Sequence, residues 1–191
     1  MQRVEGLVAV ITGGASGIGR AAAGRLAAEG AAVVIGDLRE GDAARAASEI
    51  IDAGGRAVGM AVDVMDEASL ALLVDTAASR FGRLDIMCNH VGGSNPRKDL
   101  DVVGMDLHEF DRIIALNVRS TVLGCRLAIP HMIEAGGGSI VNTASVGGLS
   151  GDFVQTGYGT AKAAVIRLTQ YVATQYGHRN IRCNAVAPAR S

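Results

Sequence analysis

Six short apolar segments alternate with longer helical stretches along this chain, and this alternation restricts the fold more than any other feature of the sequence. Most of the six are apolar through their length, which indicates strands buried on both faces, as in a parallel sheet. The expected strands cover residues 7–12, 32–37, 57–63, 84–89, 139–144 and 181–186. The sequence therefore predicts an α/β fold with a doubly wound parallel sheet.

Five helices are predicted between these strands, which they connect by right-handed crossovers. They cover residues 18–29, 42–53, 67–81, 107–135 and 156–176, and the fourth is expected to bend near Pro130. The 26 glycines fall between the periodic segments rather than in a linker. We therefore expect residues 1–191 to form a single domain.

Composition excludes several classes of protein. The net charge is −1 at pH 7, and nucleic-acid binding requires positive charge to neutralise phosphates, so no nucleic-acid partner is expected. The longest apolar runs are far shorter than the roughly 20 residues of a membrane-spanning helix, so no membrane association is expected. Three widely spaced cysteines favour a reduced, cytoplasmic protein with buried thiols. The four histidines lack metal-ligand spacing, so no metal site is predicted.

A glycine-rich segment, TGGASGIG, runs from Thr12 to Gly19, follows the first strand and opens the first helix. It lacks the Gly-Lys-Ser/Thr of a P-loop. Glycines allow a sharp backbone turn and let a phosphate approach the amides, and a helix start offers free N–H groups and partial positive charge. A merely structural turn is the alternative for this segment alone, but the acidic residue after the second strand favours a dinucleotide site.

Asp37 is that acidic residue, 24 residues after Gly13. A carboxylate at this position accepts a hydrogen bond from a ribose 2′-hydroxyl and repels a 2′-phosphate, which favours NAD over NADP. Arg39 lies close and is expected to be solvated. Asp63, after the third strand, is either an adenine ligand or a strand-end or helix-capping aspartate, and the sequence leaves both open.

Tyr158 and Lys162 lie four residues apart on a predicted helix and share one face. An ammonium group close to a phenol favours the phenolate, which suits a general acid/base. Ser145 lies 13 residues before Tyr158, at the carboxyl end of a predicted strand, where α/β sheets bind ligands. Its hydroxyl is suited to stabilise negative charge on a carbonyl oxygen. Alone, Ser145 is best explained as a turn residue; together the three residues indicate a catalytic site.

These residues resemble the motifs of the short-chain dehydrogenase/reductase family, and the resemblance extends from about Gly6 to the end of the chain. The resemblance implies a Rossmann-type fold, with Tyr158 as the general acid/base and Lys162 as its partner. It further implies that Ser145 orients the substrate oxygen and that Asn117 holds a water in a proton relay. The motifs are Thr12-Gly13-x-x-x-Gly17-x-Gly19, Asp63-Val64, Asn89-x-x-Gly92, Asn117, Ser145, Tyr158-x-x-x-Lys162 and Asn184 to Pro188.

The resemblance also implies which residues surround the coenzyme, expected to be NAD. They are Gly13, Ser16, Gly17, Ile18, Gly19, Asp37, Leu38, Asp63, Val64, Asn89, Gly92, Tyr158, Lys162 and Pro188.

Two positions depart from the family pattern. His90 and Val91 interrupt the usual Asn-Asn-Ala-Gly after the fourth strand, and Pro188-Ala189 replaces the usual Pro-Gly after the sixth. Both departures lie where the coenzyme is expected, and Ala189 puts the contact with the nicotinamide in doubt. Residues 186–191 are predicted to run from a strand into a loop. Relatives continue beyond this point with a seventh strand, so a C-terminally truncated domain is expected.

The segment between Ser145 and Tyr158 is expected to line the substrate site. It is largely apolar, which favours an apolar or uncharged secondary alcohol or ketone. The substrate residues expected are Ser145, Val146, Gln155 and Tyr158, with Leu149 and Phe153 as further candidates. The charged tripeptide at residues 97–99 is interpreted as a solvated loop.

The expected function is NAD-dependent interconversion of a secondary alcohol and a ketone. A 3-oxoacyl-thioester (acyl carrier protein) reductase is one alternative, which Asp37 opposes because such relatives usually take NADPH; a non-catalytic NAD-binding protein is another. The resemblance also implies a homodimer or homotetramer built on the two long helices. The small apolar face formed by Ala161, Ala164, Val165 and Leu168 suits close helix pairing, with packing on the chain's own sheet as the alternative.

Overall fold

The computed structural model describes residues 3–189, which form a six-stranded parallel sheet with helices on both sides. The strand order is β3-β2-β1-β4-β5-β6. The strands are β1 (Val8–Thr12), β2 (Ala32–Asp37), β3 (Arg56–Ala61), β4 (Ile86–Asn89), β5 (Gly138–Thr143) and β6 (Ile181–Val186). The helices are α1 (Gly17–Ala28), α2 (Glu40–Asp52), α3 (Glu67–Phe81), α4 (Leu107–Ile114), α5 (Ser120–Glu134) and α6 (Thr156–Tyr176). The doubly wound α/β prediction is confirmed.

Burial follows the position of each strand in the sheet. All residues of β1 and β4 are buried, as the apolar sequence pattern predicts for central strands. The prediction of burial on both faces is wrong for β3 and β6. In β3, Arg56 and Ala61 are exposed. In β6, buried and exposed residues alternate over the first four positions, and the last two are exposed. Both are edge strands, so their outer sides and parts of their faces lack neighbours among residues 3–189.

The predicted long helix at 107–135 is interrupted, but not at the predicted place. Helix α5 runs through Pro130, whereas a π-helical turn, Ala115–Arg119, separates α4 from α5. Within this turn, Asn117 Nδ2 donates to the Ile113 carbonyl at 2.9 Å. In a regular α-helix the Ile113 carbonyl would accept from the backbone N–H of Asn117. Here the side-chain amide of Asn117 takes that position, which interrupts the regular backbone hydrogen bonds.

The carboxyl ends of the strands meet at one edge of the sheet. The chain order reverses between β1 and β4, which lie side by side, and such a switch point opens a crevice for ligands. The glycine-rich turn follows β1, Asp37 ends β2, His90 follows β4 and Thr143 ends β5. The predicted site residues therefore collect around this crevice.

The three cysteines Cys88, Cys125 and Cys183 are free and buried, as predicted.

The small apolar face of α6 is partly buried within the chain. Ala161 and Val165 are fully buried, whereas Ala164 and Leu168 are only partly buried. For Ala161 and Val165 this favours the alternative of packing inside the chain, and a contact between subunits through this helix stays a prediction.

One helical stretch within residues 3–189, Leu107–Glu134, is long and apolar enough by length and composition to cross a membrane, with a mean hydropathy of 1.3. Half of its most apolar window is buried inside the protein. Leu123, Ala128 and Met132 belong to the core that packs on the sheet, which accounts for the apolar composition. Residues 190 and 191 of the predicted C-terminal loop lie outside the described residues.

Candidate active site

A cavity of about 400 Å³ lies at the carboxyl edge of the sheet, over the switch point between β1 and β4. It joins the glycine-rich turn to the segment after β4. Ten of the predicted coenzyme residues line it: Gly13, Ser16, Gly17, Ile18, Gly19, Asp37, Leu38, Asp63, Val64 and Gly92. The rest of the lining consists of Val62, His90, Val91, Leu116 and Thr143.

Two glycines of the glycine-rich turn are set by one close approach and one positive φ. A Cβ on Gly19 would collide with the Gly13 carbonyl oxygen, so only glycine lets the first turn of α1 pack against the end of β1. Gly17 has a φ of +51° and open space where a Cβ would project. Ser16 takes the N-cap position of α1 without a side-chain capping bond. The start of α1 therefore faces the cavity with backbone groups, which is the arrangement that binds phosphates.

Asp37 borders the cavity at the end of β2. Its Oδ2 accepts a hydrogen bond from the Ala15 N–H at 3.3 Å, which ties the carboxylate to the glycine-rich turn. The side chain of Arg39 is 72% exposed, as expected, and its guanidinium pairs with Asp42. Hydrogen bonds from Arg45 and Arg39 lower the pKa of Asp42. The cavity is thus bordered by the Asp37 carboxylate, and the arginine two residues later pairs with another acid.

Asp63 is exposed and lines the cavity, and it does not cap α3. Its Oδ1 accepts from the Met65 N–H at 2.9 Å, while Asp66 is the residue that caps α3. The helix-capping alternative for Asp63 is therefore wrong. The bond to the Met65 N–H agrees with the alternative of a strand-end aspartate. Because Asp63 also lines the cavity, its contact with adenine stays a prediction.

Asn89 is placed away from the cavity. Its Nδ2 donates to Asn142 Oδ1 at 2.9 Å in the buried interior, and Asn142 in turn donates to Thr169 at 3.0 Å. The Asn89 side chain is thus held in the interior, since a buried amide needs such polar partners, and a contact of Asn89 with the coenzyme stays a prediction. Asn89 fixes the end of β4 against β5.

Gly92 separates two of the predicted catalytic residues. A Cβ at this position would lie 2.5 Å from Asn117 Oδ1 and 2.7 Å from Lys162 Nζ. Asn117 is fully buried, and its side chain accepts from the Gly93 N–H at 3.0 Å and donates to the Gly93 carbonyl at 2.9 Å. Glycine at position 92 is therefore what brings Asn117 and Lys162 to the same point behind the cavity.

Lys162 is almost completely buried, at 2% exposure. Its Nζ donates to the Thr143 carbonyl at 2.8 Å and lies 5.5 Å from the centre of the Tyr158 ring. Burial lowers the pKa of Lys162 to about 8, because a dry environment disfavours the charged amine. The predicted pairing of Tyr158 and Lys162 on one face of α6 is thereby present in the fold.

Ser145 lies two residues after the end of β5 and takes the N-cap position of a short 3₁₀ turn, Val146–Gly148. Its Oγ accepts from the Gly147 N–H at 3.2 Å. A Cβ on Gly148 would lie 2.6 Å from the Lys162 carbonyl carbon, so this turn packs tightly on α6. The turn carries Ser145 to the part of α6 that bears the tyrosine and lysine.

With this geometry in place, comparison with known proteins decides the family. The family model for short-chain dehydrogenases matches residues 7–190. The chain belongs to the short-chain dehydrogenase family. Members of this family are oxidoreductases that act on small molecules with a nicotinamide coenzyme, NAD or NADP.

Individual relatives agree with this assignment. The 7α-hydroxysteroid dehydrogenase of Bacteroides fragilis is 40% identical over 188 residues, which cover 98% of this chain and 73% of the relative. The cis-4-hydroxycyclohexanecarboxylate dehydrogenase of Sinomonas cyclohexanicum is 45% identical over 183 residues, covering 95% and 72%. A crystal structure of a chain from Burkholderia xenovorans assigned to the same family superposes with a TM-score of 0.92 at 36% identity, covering 98% and 76%.

His90 is the departure of this short-chain dehydrogenase that the structure explains best. Its Nδ1 bonds to Thr143 Oγ1, and Thr143 is the residue whose carbonyl receives Lys162. Its Nε2 is buried without a partner among residues 3–189. Burial and the nearby Lys162 lower the pKa of His90. The sequence shows that histidine is unusual at this position. It does not show that His90 is connected to Lys162 through Thr143, because this connection depends on the pairing of β4 with β5.

The remaining predicted residues of this short-chain dehydrogenase occupy the rim. The Pro188 carbonyl accepts from the Val146 N–H at 3.2 Å, and Pro188 lies outside the cavity lining. Val146, Leu149 and Phe153 are exposed, and their contact with a substrate stays a prediction. Gln155 precedes α6 with a φ of +63°. No group of three or more metal-binding side chains occurs within residues 3–189.

Proposed function

We propose that this protein is an NAD-dependent dehydrogenase that interconverts an apolar secondary alcohol and its ketone, with Tyr158 as general acid/base. One observation carries the proposal: the cavity bordered by the glycine-rich turn and Asp37 extends to Gly92, directly behind which lie Asn117 and Lys162. The cavity proposed for the nucleotide therefore ends next to Lys162, the partner of Tyr158 in the proposed chemistry.

NAD fits the residues at this site. The open start of α1 is suited to the pyrophosphate, and the Asp37 carboxylate is suited to a ribose 2′-hydroxyl but opposes a 2′-phosphate. None of the residues lining the cavity is an arginine that would bind the 2′-phosphate of NADP. Arg39, two residues after Asp37, pairs with Asp42. When bound, the nicotinamide supplies the hydride acceptor or donor for the alcohol carbon.

The proton is handled by side chains of α6 and the turn before it. Tyr158 takes the hydroxyl proton of the alcohol during oxidation and returns it to the carbonyl oxygen during reduction. The Lys162 ammonium supports the phenolate, because an opposite charge favours the ionised form. The Ser145 hydroxyl hydrogen-bonds to the substrate oxygen and stabilises charge on it. Asn117 lies beside Lys162 at the inner end of the site, where it holds the water of the proton relay.

The substrate is proposed to be apolar or uncharged because the rim around the tyrosine is apolar. Between Ser145 and Tyr158, Leu149 is 67% exposed and Phe153 is 94% exposed. Val103, three residues after the Leu100 whose carbonyl accepts from Thr156, is 96% exposed. Large apolar side chains exposed to solvent in neighbouring segments are typical of a binding surface. The two relatives compared above are named for ring alcohols, a hydroxysteroid and a hydroxycyclohexanecarboxylate. These names support the alicyclic part of the proposal; the uncharged part rests on the exposed apolar side chains, since the second named substrate carries a carboxylate.

The test is reduction of NAD⁺ or NADP⁺, followed by absorbance, with a panel of alicyclic, linear and charged secondary alcohols. We expect turnover of at least one uncharged alicyclic alcohol, with NAD⁺ preferred. Preference for NADP⁺ with 3-oxoacyl thioesters would favour the reductase alternative. Binding of NADH without turnover of any alcohol or ketone would indicate a non-catalytic protein and contradict the proposal.

A further inference from the structure

Asp99 is a fully buried carboxylate in the loop between β4 and α4. The charged tripeptide that contains it was expected to be solvated, and for Asp99 this expectation is wrong. A buried carboxylate is costly unless its oxygens receive hydrogen bonds, so its partners indicate what it does.

Those partners are the first amides of the helix that carries Tyr158. Asp99 Oδ1 accepts from the Gly157 N–H at 2.8 Å, and Oδ2 accepts from the Tyr158 N–H at 3.0 Å. These are the second and third residues of α6, whose amides an N-cap side chain normally receives. Gln155, the N-cap residue, forms no capping bond with its side chain. A carboxylate 58 residues earlier in the chain thus caps α6.

The backbone around Asp99 holds the same helix start. The Asp99 carbonyl accepts from the Gln155 N–H at 3.0 Å. The adjacent Leu100 carbonyl accepts from the Thr156 N–H at 3.2 Å and from the Thr156 hydroxyl at 2.9 Å. Every amide from 155 to 158 is therefore bonded to the dipeptide at 99–100.

Gly157 leaves room for this contact. A Cβ there would lie 3.1 Å from Asp99 Oδ1 and 3.1 Å from the terminal methyl of Ile113, so a larger residue would push the carboxylate and α4 away.

The loop that carries Asp99 is itself anchored. The Asp99 N–H donates to the Asn95 carbonyl at 2.9 Å, and the Asn95 N–H donates to Glu109 Oε1 at 2.7 Å. Glu109 is buried and pairs with Arg112 at 2.7 Å. Lys98 pairs with Asp106 at 3.0 Å. Asp99 is therefore presented to α6 by a fixed loop.

We propose that Asp99 is a positioning residue that fixes Tyr158 for proton transfer by capping α6 from the loop after β4. The inference rests on the proposed function, in which Tyr158 is the general acid/base. Lys162 is held independently by Thr143, so loss of the cap displaces the tyrosine relative to the lysine. A displacement of about 1 Å can cost about 100-fold in rate.

The test compares Asp99→Ala and Asp99→Asn with Asp66→Ala, and uses Tyr158→Phe as the reference for loss of the acid/base. Asp66 caps α3 in the same way, accepting from the Ala68 and Ser69 amides at 3.3 Å each, and α3 carries none of the catalytic side chains. Folding of each variant is checked by circular dichroism and thermal melting. The kinetic readouts are kcat, KM and the Kd for NADH.

We expect kcat to fall at least tenfold in Asp99→Ala and less in Asp99→Asn, because the asparagine amide oxygen still accepts one of the two bonds. The Kd for NADH is expected to stay within about twofold in both, and Asp66→Ala is expected to lower the melting temperature without changing kcat. Asp99→Asn provides the measurement if Asp99→Ala fails to fold.

The outcomes separate the two proposals. Loss of activity in Tyr158→Phe with unchanged kcat in both folded Asp99 variants would overturn the positioning role alone. Equal losses of kcat in Asp99→Ala and Asp66→Ala would also overturn it, because the loss of a cap on any helix would then lower kcat, whether or not that helix carries Tyr158. Full activity of Tyr158→Phe would overturn the proposed function, and the positioning role with it.

Discussion

The starts of α1 and α6 are the same backbone element used in opposite ways. At α1, Ser16 forms no capping bond, and the first turn borders a cavity with glycine backbone. At α6, the buried Asp99 carboxylate takes the Gly157 and Tyr158 amides. One helix start is left open for an anion from outside the chain, and the other is closed by an anion from within it.

Under the proposed function, this difference assigns coenzyme binding to one helix start and chemistry to the other. An open helix start attracts a negatively charged group through its free amides and partial positive charge. A closed helix start binds no ligand but fixes the side chains of its first turn. In this chain, Tyr158 lies in that first turn and Lys162 lies one turn later, on a face buried against the sheet. The following predictions test this division, beginning with the largest expected effect.

Tyr158→Phe tests the chemistry assigned to the closed end. Removing the hydroxyl removes the group that carries the proton, and general acid/base groups contribute about 100- to 10,000-fold. We expect kcat to fall within that range while NADH binding is retained. The measurement is steady-state turnover with the best alcohol from the panel, normalised to NADH-binding sites. A fall in kcat of less than threefold would assign the proton transfer to another group.

The buried Lys162 predicts how stability depends on pH. Its pKa is about 8 in the folded chain and 10.5 ordinarily. Between these values the unfolded chain binds the proton and the folded chain does not, so the stability of the folded state rises with pH across this window. The difference corresponds to about 3 kcal/mol. Below pH 8 both states are protonated, and the full cost of burying the charge is present.

Denaturant unfolding of wild type and Lys162→Met from pH 7 to 10 measures this effect. The difference between the two is informative, because the buried thiol of Cys88, whose pKa burial raises to about 12, contributes to both. That thiol destabilises the fold above pH 9, when the unfolded thiol ionises and the folded one does not. A pH-independent difference between the two proteins would mean that Lys162 is solvated.

Gly19→Ala tests the open end. The added methyl would collide with the Gly13 carbonyl oxygen and force the turn apart. We expect the affinity for NADH to fall at least about tenfold, because the phosphate-binding amides lose their arrangement. Gly24→Ala is the matched control on the same helix, with open space at its Cβ. It is expected to leave the affinity unchanged and to stabilise α1 by about 0.5–1 kcal/mol.

Asp37→Asn tests the electrostatic part of coenzyme selection at the open end. Removing the negative charge removes the repulsion of a 2′-phosphate, and we expect the ratio of NADP⁺ to NAD⁺ dissociation constants to fall by about tenfold. Asp52→Asn, at the exposed end of α2, removes a similar charge away from the cavity. An equal change of the ratio in both variants would attribute it to net charge alone.

The same contrast explains what the sequence could predict. Local sequence specifies the glycine-rich turn and the Tyr158–Lys162 pair, because their residues lie within a few positions of one another. Asp37 can be predicted because it ends a strand. Helices α3 and α6 begin and end at the predicted residues because their periodicity is strong. The cavity at the switch point follows from the alternation of strands and helices.

The closed end depends on contacts that no local pattern reveals. Asp99 and Tyr158 are 59 residues apart, and a charged tripeptide in a loop is usually solvated. The side chain of Asn117, in the π-helical turn, is held by Gly93: the Gly93 N–H donates to its Oδ1, and the Gly93 carbonyl accepts from its Nδ2. The side chain of Asn89 is held by Asn142 on a neighbouring strand. These features need the tertiary fold.

The most direct test of the account is an NADH fluorescence titration combined with turnover on wild type, Gly19→Ala and Asp99→Asn. The account predicts a crossed result: Gly19→Ala loses affinity for NADH, whereas Asp99→Asn binds NADH as wild type does and turns over more slowly at saturating coenzyme. If Asp99→Asn lost NADH affinity as severely as Gly19→Ala, or if Gly19→Ala bound NADH normally, the assignment of binding to one helix start and chemistry to the other would be contradicted.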